Sequence, residues 1–168
     1  TLCNLAISIA QNEKEVIIID GDIRRPMLQR FFTVTNEVGL SNILTGEIDF
    51  KEAIRKTNIK NLSIITTGIQ APNPAELLSS EKMDEVIARA REKADIILLD
   101  SPPAVVVTDA VILSHKVDGV ILVVASHETP RALIEAAQEN LENADANIVG
   151  TILNKYPVKK SSYYSSYY

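Results

Sequence analysis

Acidic side chains follow an apolar run near the start of the sequence, in the stretch EVIIIDGDIRRP. The β-branched residues 16–19 lead directly into Asp20 and Asp22, and two arginines come next. A second apolar run, in DIILLDSPP, ends in Asp100. Mg²⁺ is usually bound by one or two carboxylates together with waters and substrate phosphates. The three acids therefore predict a magnesium site.

Each acid also has a structural explanation. Aspartate often caps a turn or the start of a helix, and for Asp20 taken alone this interpretation stays open. Three acids that follow two apolar runs favour the metal site over the capping interpretation. The Asp-x-Asp spacing is not specific, because metal-dependent sugar transferases contain it as well.

A sheet must bring these acids together. Continuously apolar runs, rather than alternating ones, predict strands that helices cover on both faces; they lie at residues 16–20, 62–66, 96–100, 119–125 and 148–153. Between them, apolar residues at helical spacing predict helices around residues 2–10, 83–90 and 133–141, and shorter ones around 40–44 and 50–54. We predict an α/β fold with a mostly parallel sheet flanked by helices. Ligands of such sheets bind beyond the carboxyl ends of the strands, where the acids lie.

Composition limits the function classes. The 168 residues suffice for one domain, and the net charge of −5 argues against nucleic acid as the main partner. No apolar run reaches the roughly 18–20 residues that cross a bilayer, and no secretory signal opens the sequence. The single cysteine fits a reducing cytoplasm. We expect a domain over residues 1–155 and a flexible, tyrosine-rich tail over residues 156–168.

The opening segment, TLCNLAISIAQNEKEVIIID, resembles the part of deviant-Walker P-loop ATPases that follows the phosphate loop. Thr1, Asn4, Leu5 and Ala6 match the Thr-x-x-Asn-Leu-Ala helix of that superfamily. The resemblance implies a three-layer P-loop fold whose first strand and phosphate loop would precede Thr1. We then expect the 168 residues alone to bind nucleotide poorly, and an open apolar edge near residues 16–19 and 96–99. Taken alone, residues 1–11 are an ordinary amphipathic core helix.

Several segments resemble the bacterial tyrosine kinases of exopolysaccharide and capsule synthesis. They are DGDIRRP, VGLSNILTGE, TTGIQAPNPAELLSSEKM, DIILLDSPPAVVVTDA and the closing SSYYSSYY. The resemblance implies transfer of the γ-phosphoryl group of ATP to tyrosine. Asp22 and Asp100 would bind Mg²⁺, and Asp20 would orient or deprotonate the tyrosine hydroxyl, although Asp20 and Asp22 could exchange roles. Arg24 would steady the acids or pair with phosphate, or else form a salt bridge on its loop.

Further contacts are implied by the resemblance. Thr1 would lie at the nucleotide, and Asn154 resembles the asparagine that reads adenine, with a turn or cap residue as the alternative. The predicted phosphate acceptors are Tyr163, Tyr164, Tyr167 and Tyr168, with Tyr156 a weaker candidate. The resemblance implies a membrane activator, either fused or as a separate chain, and a homo-oligomeric ring. We therefore expect this protein in the cytoplasm and at the membrane through that partner.

Two other functions compete with the kinase. A partition or division-site ATPase of the same superfamily would use the same acids to hydrolyse ATP as a switch. Such proteins carry an amphipathic basic helix or a basic DNA-binding surface, and neither pattern occurs in this sequence. The third possibility is a non-catalytic interaction module.

Overall fold

The computed structural model describes residues 1–157. Helices and strands alternate along this part of the chain, as the sequence predicts. The elements are α1 (Leu2–Gln11), β1 (Val16–Asp20), α2 (Leu28–Phe32), α3 (Leu40–Thr45), α4 (Phe50–Ala53), β2 (Ile54–Lys56), β3 (Leu62–Ile65), α5 (Pro74–Ser79), α6 (Glu81–Arg91), β4 (Ile96–Asp100), α7 (Asp109–Ser114), β5 (Val120–Ala125), α8 (Arg131–Glu142) and β6 (Ile148–Asn154).

The strands form a mostly parallel sheet in the order β2-β3-β1-β4 and a separate parallel pair, β5-β6. Strand β1 pairs in parallel with β3 and β4, while β2 pairs with β3 in the antiparallel direction. This arrangement confirms the predicted fold class. It places the carboxyl ends of β1 and β4 side by side.

Strand β1 is buried on both faces because apolar layers cover each side of it. Ile17 and Ile19 pack into a core with residues of α3, α5, α6 and α7. Val16 and Ile18 face the other way, into a second core with residues of α1 and α2. Two buried faces explain why this strand is apolar at every position.

Most predicted elements are confirmed, and some were missed. The five predicted strands and the short helices α3 and α4 occur within a residue or two of the predicted bounds. The sequence analysis missed α2, α5 and β2. Strand β2 has only three residues, two of them basic, and so lacks an apolar run.

Two expectations about burial are wrong. Strands β5 and β6 are not covered on both faces, since Ile121, Val123, Val149 and Leu153 are each 42–61% exposed. The predicted open edge is not at β1, which is internal, but it is present at β4, where Ile96 is 39% exposed. Among residues 1–157, no helix is long and apolar enough to cross a membrane.

Candidate active site at the carboxyl edge of the sheet

Asp20 and Asp100 lie in register at the ends of the neighbouring strands β1 and β4. The loop after β1 then turns closely over β4, because the Gly21 N–H donates a 3.1 Å hydrogen bond to the Asp100 carbonyl. A Cβ atom on Gly21 would lie 2.5 Å from that carbonyl oxygen, so only glycine fits here. This close approach keeps Asp22 near Asp100. The predicted convergence of Asp20 and Asp100 at one edge is confirmed.

Asp20 is fully buried, and its surroundings offset little of the cost of burying a negative charge. Its two carboxylate oxygens accept only long backbone hydrogen bonds, 3.3 Å from Asp22 N–H and 3.4 Å from Leu28 N–H. Burial, and next the charge of Asp100, raise the pKa of Asp20 to about 7. The carboxyl group can therefore exchange a proton near neutral pH. Asp20 therefore does not face open solvent, although it lies at the edge of the sheet where ligands of such folds bind.

The other two acids are more accessible. Asp22 is partly exposed, and its Oδ1 accepts a 3.0 Å hydrogen bond from the Arg25 N–H. Asp100 is also partly exposed, and its pKa is raised by burial and then by the charge of Asp22. The cluster Asp20, Asp22 and Asp100 thus carries more negative charge than its surroundings balance.

Arg24 is bound to another carboxylate. Its Nε and Nη2 donate hydrogen bonds of 2.8 and 3.0 Å to the two carboxylate oxygens of Asp109, which is fully buried. A salt bridge is thus present, but its partner comes from α7, 85 residues further along the chain, and not from the loop of Arg24. The roles of Arg24 at the acids and at phosphate stay predictions.

The cluster fits a divalent cation. Within residues 1–157, no three His, Cys, Asp or Glu side chains form a ready-made set of metal ligands. Magnesium does not need one, because it is usually held by one or two carboxylates while waters and phosphates complete its shell. Asp22 and Asp100, both accessible and both without a basic partner among the described ion pairs, are the residues that would hold it.

The remaining predicted residues are spread over the same side of the fold. Thr1 directly precedes α1. Asn154 ends β6, in register with Ala125, and belongs to the separate strand pair. Tyr156 is 63% exposed just beyond that strand. Tyr163, Tyr164, Tyr167 and Tyr168 lie outside the described residues.

The sequence analysis also missed the loop that follows β3. Asn36 holds Gly68 through its side-chain oxygen and nitrogen, at 2.9 Å to the N–H and 3.0 Å to the carbonyl. The Ser41 hydroxyl lies 2.7 Å from the Thr67 carbonyl and 2.6 Å from the Ile69 carbonyl. Gly68 was the available signal in the sequence, because glycine readily adopts a left-handed φ, here +78°.

Comparison with known proteins identifies the family. Residues 1–146 match the model of a family described as an AAA domain. The chain is 37% identical to the tyrosine-protein kinase YwqD of Bacillus subtilis over 167 residues, which cover 99% of this chain and 70% of that protein. The kinase domain of the Escherichia coli tyrosine kinase ETK superimposes with a TM-score of 0.91 at 33% identity, over 95% of this chain and 63% of that one.

A more distant neighbour has the same fold. The septum site-determining protein MinD of Pyrococcus horikoshii, solved with Mg-ADP, gives a TM-score of 0.76 at 24% identity, over 95% of this chain and 65% of its own. At this identity the likeness concerns the fold alone. The higher sequence identity to the tyrosine kinases places the chain with the kinases rather than with the MinD proteins. The chain therefore belongs to the AAA-domain family and, within it, to the bacterial tyrosine-protein kinases.

Proposed function

We propose that this protein is an ATP-dependent protein-tyrosine kinase that regulates the synthesis and export of exopolysaccharide or capsule. The observation that carries the proposal is the acid cluster at the carboxyl edge of the sheet, with Asp20 and Asp100 in register and Asp22 on the adjoining loop. The kinship with tyrosine-protein kinases supports tyrosine as the acceptor.

Each acid has a proposed role. Asp22 and Asp100 hold Mg²⁺, which neutralises charge on the transferring phosphate when it is bound. Asp20 accepts the proton of the tyrosine hydroxyl. A pKa of about 7 suits that task, because a general base works best when its pKa is near the operating pH. Asp20 is fully buried, so the loop after β1 must open before a tyrosine hydroxyl can reach its carboxylate. The resemblance leaves the same role open for the accessible Asp22.

The nucleotide would extend from the acids along the same edge. We assign Thr1, at the start of α1, to the phosphate side of ATP, and Asn154, at the end of β6, to the adenine. The assignment of Asn154 rests on its position at the carboxyl end of a parallel strand, where ligands of such folds bind.

The acceptors are the tail tyrosines Tyr163, Tyr164, Tyr167 and Tyr168, with Tyr156 weaker. An extended chain from Tyr156 to the last residue spans roughly 40 Å, enough to reach a neighbouring subunit. Each phosphotyrosine adds about −1.5 to −2 charges. We propose that four of them repel neighbouring subunits in a homo-oligomeric ring and so drive its disassembly.

Protein partners complete the proposal. A membrane activator that regulates polysaccharide chain length would hold the kinase at the membrane, while the kinase domain itself stays in the cytoplasm. Other protein tyrosines would be substrates as well. The acidic net charge disfavours nucleic acid as the main partner.

The test uses the natural full-length protein with ATP and Mg²⁺. Mass spectrometry should place phosphate on the tail tyrosines, and light scattering should show smaller particles after the reaction. ATP hydrolysis without phosphotyrosine would instead favour an ATPase switch of the MinD type. Neither hydrolysis nor transfer would favour an interaction module.

A further inference from the structure

An open surface groove of about 430 Å³ lies beside Arg24. It is bordered by Arg24, Gln70, Ala71, Pro72 and Pro74. We call it the proline groove. Its lining is polar and apolar in nearly equal parts, with one guanidinium and one amide group beside an alanine and two prolines. The groove therefore suits a flat ring that carries a polar group, such as a phenol.

Arg24 presents a fixed surface to this groove. Two of its nitrogens are bound to Asp109, which is fully buried and so cannot move aside easily. The Arg24 side chain nevertheless remains 40% exposed. The flat face of the guanidinium group is what it still offers to a ligand. Guanidinium faces stack well on aromatic rings.

The opposite wall is also held in place. The hydrogen bonds from Asn36 to Gly68 and from Ser41 to the carbonyls of Thr67 and Ile69 anchor the chain just before Gln70. Prolines then limit the backbone freedom of the segment that follows. The groove is thus rigid on both sides, which lowers the entropic cost of binding a ring between them.

We propose that the proline groove binds the aromatic ring of the acceptor tyrosine, with the ring stacked on Arg24 and packed against Pro72 and Pro74. This inference rests on the proposed kinase function. Arg24 is two residues beyond Asp22, so their Cα atoms are at most about 7 Å apart. A ring in the groove would therefore lie near Asp22, the accessible acid of the loop after β1. Serine and threonine have no ring to place there, which accounts for selection of tyrosine.

Inhibitor peptides in the natural full-length protein test the groove. The probes are Ser-Ser-Phe-Ser-Ser and the same peptide with pentafluorophenylalanine or cyclohexylalanine in the central position. Stacking on a cation predicts that the phenylalanine peptide inhibits tyrosine phosphorylation about two- to fivefold more strongly than either analogue. Hydrophobic contact alone predicts the opposite order for cyclohexylalanine, which has more apolar surface.

Two variants change the groove in different ways: the first removes its cation, and the second fills it. The double variant Arg24→Gln/Asp109→Asn removes the cation without leaving a buried charge unpaired, and it should abolish the difference between the peptides. Gln70→Trp should fill the groove and raise the KM for acceptor peptide, while the KM for ATP stays the same. Lys60→Trp, on an exposed loop between β2 and β3, is the matched control and should change neither KM.

The outcomes separate the groove from the proposed function. Equal inhibition by the three peptides, or an unchanged acceptor KM in Gln70→Trp, would overturn the groove even if the protein phosphorylates tyrosine. If the protein transfers no phosphate, peptide affinity is measured by fluorescence anisotropy. An Arg24-dependent preference for phenylalanine would then support the groove while the kinase proposal fails.

Discussion

Asp20 and Asp109 are both fully buried carboxylates, yet their surroundings differ. Asp109 receives two short hydrogen bonds from the guanidinium group of Arg24. Asp20 receives two long backbone hydrogen bonds and faces the negative charge of Asp100. Burial alone therefore does not identify a functional acid. The absence of a balancing cation around Asp20, within the described residues, is what suits it to proton transfer.

The largest expected effect tests Asp20 as the base. In Asp20→Asn, kcat for tyrosine phosphorylation should fall by about 10²–10⁴-fold, the usual contribution of a general base. Its free energy of unfolding at pH 8 should rise rather than fall, because the neutral amide removes the cost of a buried charge beside Asp100. Steady-state kinetics and denaturant unfolding of the natural full-length protein measure the two quantities.

Retention of more than a tenth of the wild-type kcat would exclude Asp20 as the base. In that case Asp22 takes the role, and Asp22→Asn is the matched variant. A large loss of stability in Asp20→Asn would instead make Asp20 a structural residue, like Asp109.

A smaller effect is expected from the salt bridge between Arg24 and Asp109, and it concerns the stability of the folded protein. Arg24→Gln leaves the buried Asp109 without its cation, whereas Arg24→Gln/Asp109→Asn leaves no buried charge. The single variant should therefore have a Tm several degrees below that of the double variant, measured by scanning calorimetry at pH 8. Equal Tm values would mean that Asp109 is already neutral or solvated, and the contrast with Asp20 would be lost.

The smallest effect concerns Asn154. Replacing it by alanine should weaken ATP binding by about two- to tenfold, the range expected for one net hydrogen bond to adenine. Affinity for GTP should change little, which isothermal titration can measure. A parallel loss for both nucleotides would make Asn154 a strand-end residue with no role in reading the base.

Local sequence was enough to predict the strand that carries the acids. An unbroken apolar run favours a strand covered on both faces, and β1 matches this expectation with Asp20 as its last residue. The same rule failed for β5 and β6, where Val123 and Val149 stay exposed. An apolar run shows that both faces of a strand can be buried. Whether helices actually cover both faces depends on other segments of the chain.

Long-range partners could not be predicted from the sequence. Nothing near Arg24 in the sequence points to Asp109, because the pair depends on where α7 packs against the loop after β1. Thr108 precedes α7 but makes no side-chain capping hydrogen bond, and Asp109, the first residue of α7, binds Arg24 instead. The groove likewise depends on hydrogen bonds between Ser41 and residues 26 to 28 positions away.

The most direct test of the account is the pKa of Asp20, followed by carbon-13 NMR of the aspartate carboxyl groups in the natural full-length protein. Without Mg²⁺ and nucleotide, one carboxyl should titrate near pH 7, and its signal should be missing in Asp20→Asn. Since this pKa lies above the ordinary value of 3.8, the folded state holds the proton more tightly. Stability should therefore fall as the pH rises from about 4 to about 7, by roughly 4 kcal/mol, and level off above that.

Adding Mg²⁺ with a non-hydrolysable ATP analogue should lower this pKa, because a cation between Asp22 and Asp100 balances the charge that raises it. A carboxyl of Asp20 that titrates near its ordinary value, with and without Mg²⁺, would contradict the account.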